Sequence, residues 1–204
     1  FNPLQENTYI IAHPTKDCWI IDPGCYTLQE QKILIHHIEK NELKPTKLIN
    51  THCHLDHIYG NKFIADEFQV ELGIHEKELP ILERAAIGAR MFGAKIPEAC
   101  APSYFLDEKD IITLGEINFK ILFTPGHSPG SICFYNETEN YAIVGDVLFQ
   151  GSIGRTDLPG GDYDTLIKSI KTKLMTLPDN TIIYNGHGIS TSIGDERKHN
   201  PFLR

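Results

Sequence analysis

The chain has 204 residues, 41% of them apolar and 23% charged, which is ordinary for a soluble globular protein and long enough for one domain with a full core. A formal net charge of -8 argues against nucleic acid as the main substrate, because phosphate binding wants a basic surface. No window approaches the roughly 20 uninterrupted apolar residues of a membrane-spanning helix. No secretory leader is visible, although the chain begins at Phe1 rather than Met. The five cysteines, Cys18, Cys25, Cys53, Cys100 and Cys133, are scattered and form no CxxC pair. Free thiols in a reducing, cytoplasmic compartment are the expectation.

In chain order, Thr8–Ala12 and Cys18–Ile21 read as two strands joined by the turn chemistry of His13-Pro14-Thr15-Lys16-Asp17. Asp22-Pro23-Gly24 ends the second strand, and a helix follows over Leu28–Glu39. Leu28, Ile35 and Ile38 fall on one helical face there, widened by Leu34. Lys47–Asn50 is a short buried strand, Gly60–Phe68 a helix and Val70–Ile74 another strand. Residues 76–100 look helical at first and then irregular around Gly88, Gly93 and Pro97, as a substrate-facing segment would. The second half opens with strands at Ile111–Leu114, Ile117–Phe123, Ser131–Tyr135 and Tyr141–Val144. A helix over Tyr163–Met175, a strand over Thr181–Tyr184 and a last helix capped by Thr191 or Ser192 complete it. Each half runs strands first and then alternates strand and helix. The layer rule makes this a four-layer α/β arrangement of two sheets with helices outside, in a single domain over 1–204.

Three of the ten histidines crowd into the six residues His52-Cys53-His54-Leu55-Asp56-His57, directly after a strand and before a helix. In an extended stretch, residues two apart point the same way, so His52 and His54 can share one metal. Asp56 and His57 lie at the turn into the helix and can face a second metal about 3.5–4 Å away. Three further ligand-type residues each follow a strand and a glycine. His127 lies in Thr124-Pro125-Gly126-His127-Ser128-Pro129-Gly130, Asp146 follows Val144-Gly145, and His187 sits in Asn185-Gly186-His187-Gly188. Any one of them alone would be a turn residue, but the recurrence places a ligand wherever a two-metal site needs one.

This set resembles the metallo-β-lactamase superfamily over essentially the whole chain, with HCHLDH in the place of its HxHxDH signature. THCHLDHIYGN, TPGHSPGS, GDVLF and GRTDLPGGD resemble its glyoxalase II-like hydrolases. The resemblance implies an αββα sandwich with a site at one edge of the sheets. It also implies that one metal takes His52, His54 and His127, the other takes Asp56, His57 and His187, and Asp146 bridges them. Zinc is the expected metal, with iron or manganese as alternatives. Asn185 departs from the Pro that relatives often carry before Gly-His-Gly. The glutathione-using members have a further helical region with basic residues, whereas this sequence ends at Arg204, which argues against glutathione itself.

The implied chemistry is attack by a water of lowered pKa on a carbonyl carbon, with Asp56 and Asp146 orienting it. A thioester suits such a site, because its leaving thiol has a pKa of about 8.5 and departs without a dedicated acid. A small-molecule thioester is therefore the expected partner, neither nucleic acid nor a membrane, and the oligomeric state is open. Arg155, Tyr59, Arg197 and Lys198 are candidate substrate-binding residues. Tyr26 lies near the expected site as well, and the Arg155–Asp157 pair also reads as a structural lock. The rival readings are a dioxygenase with one iron, which shares the fold and much of the motif, and a lactonase on the same site. A nuclease would need an inserted domain and a basic face, and a structural zinc site would be thiolate-rich.

Overall fold

The computed structural model describes residues 1–91 and 93–204, which form two compact units. The first comprises Phe1–Ile74, Leu79–Phe105 and Leu114–Ile117. Its sheet runs in the order β1 (Tyr9–Ala12), β2 (Asp17–Ile21), β3 (Lys44–Ile49), β4 (Leu72–Ile74) and β5 (Tyr104–Phe105). β1 and β2 form the expected antiparallel hairpin, and every later pair is parallel. Parallel neighbours need crossovers, and helices supply them. These are α1 (Leu28–Lys40) between β2 and β3, α2 (Leu55–Ile58) and α3 (Asn61–Phe68) between β3 and β4, and α4 (Leu79–Glu83) and α5 (Ala85–Met91) between β4 and β5.

α1 starts on a capping box: Thr27 Oγ1 accepts from Glu30 N, and the Glu30 carboxylate accepts from Thr27 N at 2.7 Å. Its inner face is Leu34 and Ile38, packed with Ile20, Leu48, Ile64, Leu72 and Ile74 into the core of this unit. Leu28, expected on that stripe, is 78% exposed. It is the first helical residue, and helical side chains lean toward the N-terminus, where no further turn lies beneath it.

The second unit comprises His75–Glu78, Leu106–Thr113 and Asn118–Arg204. The later strands of the chain are β6 (Ile111–Leu114), β7 (Ile117–Phe123), β8 (Ile132–Asn136), β9 (Tyr141–Gly145), β10 (Leu148–Phe149), β11 (Ser152–Ile153), β12 (Ile182–Asn185) and β13 (Thr191–Ser192). Six of them build a sheet in the order β13-β12-β9-β8-β7-β6, and β10 and β11 pair separately. β9 and β12 are parallel, with a register shift at Tyr184/Asn185 that sets Asn185 opposite Gly145. The helix expected over Tyr163–Met175 is α6 (Tyr163–Ser169) followed by a π turn over Ile170–Leu174. Thr172 Oγ1 donates back to Lys168 O at 2.8 Å within that turn, a side-chain bond that competes with regular helix. α7 (Ile193–His199) begins on Ser192, whose hydroxyl accepts from Asp195 N. Leu166, Ile170, Leu174, Ile183 and Ile193 pack with Val144 and Leu148 as the core of this unit. Among the described residues, no helix is long and apolar enough to cross a membrane.

β3 carries the first histidine cluster, and Leu48 within it is fully buried. Leu48→Ala is expected to cost about 2–5 kcal/mol. The readout is a lower urea midpoint with an unchanged slope, since the surface exposed on unfolding stays the same.

Candidate metal centre

In the first unit, the end of β3 leads through Asn50 and Thr51 into His52, and His54 stands at the start of α2. His52 and His57 are almost fully buried, and Asp56 is 7% exposed. The ring of His52 meets that of His54 edge-on at 4.8 Å and lies 4.1 Å from that of His57. His57 Nε2 is 3.6 Å from Asp56 Oδ2. Cys53, between the two histidines, points the other way into the core of the unit, as alternation requires.

This loop is shaped by Asp22, a residue the sequence reading took only as a strand end. Asp22 is 1% exposed. Its Oδ1 accepts from Thr51 N at 2.7 Å and from Asn50 Nδ2 at 3.3 Å. Its Oδ2 accepts from Thr51 Oγ1 at 2.6 Å and lies 3.1 Å from His57 Nδ1. A carboxylate can only accept, so His57 carries its proton on Nδ1 and turns the lone pair of Nε2 toward Asp56. Asn50 Nδ2 also donates to His57 O at 2.9 Å, and Asn61 Nδ2 donates to Asn50 Oδ1 at 2.7 Å. The signal available in the sequence was an acid closing a run of buried apolar residues, just before Pro23-Gly24.

Glu6 is a second buried acid in this unit, 2% exposed, and its Oε2 accepts from Thr8 Oγ1 at 3.0 Å. Burial pushes its carboxyl up to about 8, with His57 opposing and Asp22 reinforcing the shift. Gly24 leaves room for it. A Cβ there would stand 2.0 Å from Glu6 Oε2 and 2.7 Å from the Asp56 carbonyl.

In the second unit, His127 lies in the loop between β7 and β8 and is 2% exposed. Its Nδ1 donates to Arg155 O at 2.7 Å, which again leaves Nε2 as the lone-pair nitrogen. That nitrogen is 3.6 Å from Asp146 Oδ2, and His187 Nε2 is 3.4 Å from the same oxygen. Asp146 directly follows β9. The Gly186 N–H donates to Gly145 O at 2.8 Å, fastening the His187 loop to that strand. Gly154 passes so close that a Cβ would sit 1.8 Å from Asp146 O and 3.0 Å from His127 Nδ1. Asn185, the departure from relatives, donates to Ile189 O at 2.9 Å and so closes the same turn.

The donor set fits divalent metal ions. His57 and His127 each turn a lone pair toward a carboxylate oxygen at 3.6 Å, two acceptors facing one another beyond hydrogen-bond distance. Two ligands held at 2.0–2.1 Å in tetrahedral geometry stand about 3.4 Å apart, the same spacing. The imidazole and carboxylate donors suit zinc, iron or manganese alike.

Comparison with known proteins agrees with this chemistry. The model of the metallo-beta-lactamase superfamily matches residues 1–187. The chain belongs to the metallo-β-lactamase superfamily. The hydroxyacylglutathione hydrolase GloC of Haemophilus influenzae is 44% identical over 202 residues, covering 98% of this chain and 93% of that protein. The crystal structure of the B3 metallo-β-lactamase BLEG-1 matches with a TM-score of 0.92 and 40% identity, over 100% of this chain and 96% of that one. TTHA1623, solved in a di-iron-bound form, matches with a TM-score of 0.88 and 35% identity, over 100% of this chain and 98% of that one. The α/β metallo-β-lactamase fold expected from the sequence is therefore the fold of this chain, and the superfamily makes it a metallohydrolase.

The four expected substrate-binding residues are placed differently from one another. Tyr59, just after α2, packs edge-on against Tyr26 at 4.7 Å. Burial, with Tyr26 and Asp56 adding to it, pushes its phenol up to about 12, so it stays a neutral donor. Arg155 makes a bidentate pair with Asp157, 2.7 Å at each nitrogen, and this pair holds the Asp157 carboxyl down to about 2. Its backbone carbonyl is the part that touches His127. Arg197 donates to Met175 O and Leu177 O and pairs with Asp179, and Lys198 is exposed on α7.

Asp22→Ala is expected to weaken metal binding about 10–100-fold, the usual effect of losing the residue that orients a ligand histidine. Competition with a chromogenic chelator measures it, and unchanged affinity would remove Asp22 from the account. Glu6 gives a pH test on the metal-free chain. Below the ordinary value of 4.5 it is protonated in both states; between 4.5 and about 8 the unfolded chain ionises while the folded one holds the proton. Its share of stability is thus present at low pH and lost across that window. The melting temperature of Glu6→Gln is expected to gain on that of the parent as pH rises from 4.5 to 8.

Proposed function

We propose that the chain is a binuclear metallohydrolase that cleaves an acyl-thioester of the hydroxyacyl-thiol class. In this reading His52, His54, Asp56, His57, His127, Asp146 and His187 are the residues that would hold the two ions. The observation that carries it is the shared arrangement of His57 and His127. Each has Nδ1 tied to an oxygen and Nε2 facing a carboxylate at ligand spacing. Bound divalent ions supply Lewis acidity and bring the pKa of water toward neutrality. Asp56 and Asp146, both largely buried, would orient an attacking water toward the carbonyl carbon and accept its proton. The thiol leaves as a thiolate with a pKa of about 8.5, so no separate acid has to meet it.

The name of the GloC relative supports a hydroxyacyl-thiol substrate. Tyr59 is the side chain we assign to the substrate, as a neutral donor beside Asp56. An anionic carrier would have to compete with Asp157 for Arg155 and with Asp179 for Arg197. Zinc is the metal we propose. The di-iron form of TTHA1623 favours iron as a second reading of the metal. The five free cysteines, four of them buried, fit a reducing, cytoplasmic compartment.

Purified protein is expected to carry two metal ions per chain and to hydrolyse hydroxyacyl-thioesters, losing activity with chelator and regaining it with added metal. Asp56→Ala is expected to lower kcat by about 10²–10⁴-fold, the range for a positioned acid–base group. Wild-type turnover by this variant with both metals bound would sink the assignment. One iron per chain, with oxygen uptake on a persulfide, would replace it by the dioxygenase.

A further inference from the structure

The turn between β4 and α4, Glu76–Glu78 with His75 before it, takes no part in the chemistry above, yet it reaches the loop that carries His127. Glu78 is fully buried. Its Oε1 accepts from Ser128 Oγ and, at 2.6 Å, from Gly130 N. Ser128 directly follows His127, and both donors lie within the loop from Thr124 to Ser131. A Cβ on Gly130 would stand 2.8 Å from both Cγ and N of Glu78, so the approach depends on glycine.

The turn is itself fixed to the strand that feeds the loop. Glu78 N donates to His75 O at 2.9 Å, and Lys77 N to His75 Nδ1 at 3.2 Å. The His75 ring stacks on Phe123 at 4.5 Å with planes 14° apart, and Lys77 Nζ sits 4.7 Å over the same ring. Phe123 is the last residue of β7, one position before the loop begins. A buried carboxylate is costly unless donors meet it, and here loop donors meet it.

The geometry points to Glu78 as the positioning residue for His127. Arg155 O fixes the ring at Nδ1, and Glu78 fixes the backbone on the C-terminal side of the same histidine. This rests on the proposed role of His127 as a metal ligand. Glu78 acts through Ser128 and Gly130.

The test compares Glu78→Ala, Glu78→Gln and Ser128→Ala with the parent in three measurements. These are zinc affinity by chelator competition, ring ¹H–¹⁵N correlations of the histidines in the metal-free chain, and melting temperature. Glu78→Ala is expected to weaken one of the two zinc ions about 10–100-fold and to shift the His127 ring signals while those of His52 and His57 stay in place. Glu78→Gln, which keeps the Oε1 acceptor, is expected to restore most of both. Ser128→Ala is expected to show a smaller loss at the same ion, non-additive with Glu78→Ala. A lower melting temperature with both zinc affinities and the His127 signals unchanged would overturn the inference, and so would equal weakening of both ions. If Glu78→Ala fails to fold, Ser128→Ala and Glu78→Gln decide by the same readouts. If the parent binds fewer than two zinc ions, the binuclear reading falls, while the metal-free histidine signals still decide the role of Glu78.

Discussion

Asp22 has almost no contact with solvent, and a carboxylate so placed holds its charge only while donors surround it. The donors it gathers are Thr51 N, Thr51 Oγ1, Asn50 Nδ2 and His57 Nδ1. Three segments thereby meet at one side chain: the end of β2, the residues after β3, and α2. The backbone at Asp22 accepts a φ of +50° to make this possible, a conformation that a non-glycine residue seldom adopts and that Asp tolerates better than most. Everything the first unit offers a metal follows from that meeting. His52 leaves the strand at a fixed point, His57 is held in one tautomer, and Asp56 stands beside it.

The second unit reaches the same end with neutral acceptors. Arg155 O does for His127 what Asp22 does for His57, and glycine backbone does the rest, through the Gly186–Gly145 bond and the close passage of Gly154. An imidazole bound to a carboxylate is a more basic ligand than one bound to a carbonyl. The two histidines therefore differ in donor strength although their rings are presented alike.

The candidate ligand residues stand out in the sequence because they follow strands and glycines at short range. Strand ends such as those of β6 and β7 were legible for the same reason, period-two patterning between turn residues. What escaped were bonds across long separations. Asp22 reaches Thr51 and His57 over 29 and 35 residues, and Glu78 reaches Ser128 over 50. Such pairs leave no periodicity, and each acid alone reads as an ordinary strand end or helix start. The strands β5, β10, β11 and β13 are two residues long, below any pattern length. The arginines were legible only in part. Their charges were visible, but the partners of Arg197 lie about twenty residues away, at Met175 and Leu177.

Cys53 stands between His52 and His54, yet alternation sends its sulfur into the core. Burial also pushes Cys25 and Cys133 up to about 12 and Cys18 to about 11. The thiolate is the form that binds soft cations and meets oxidants. On the proposed thioesterase reading, the chain would work among free thiols and disulfides, where exchange is the standing hazard. With three of its sulfurs held protonated and the one inside its signature motif buried, the chain resists mixed disulfides at those positions.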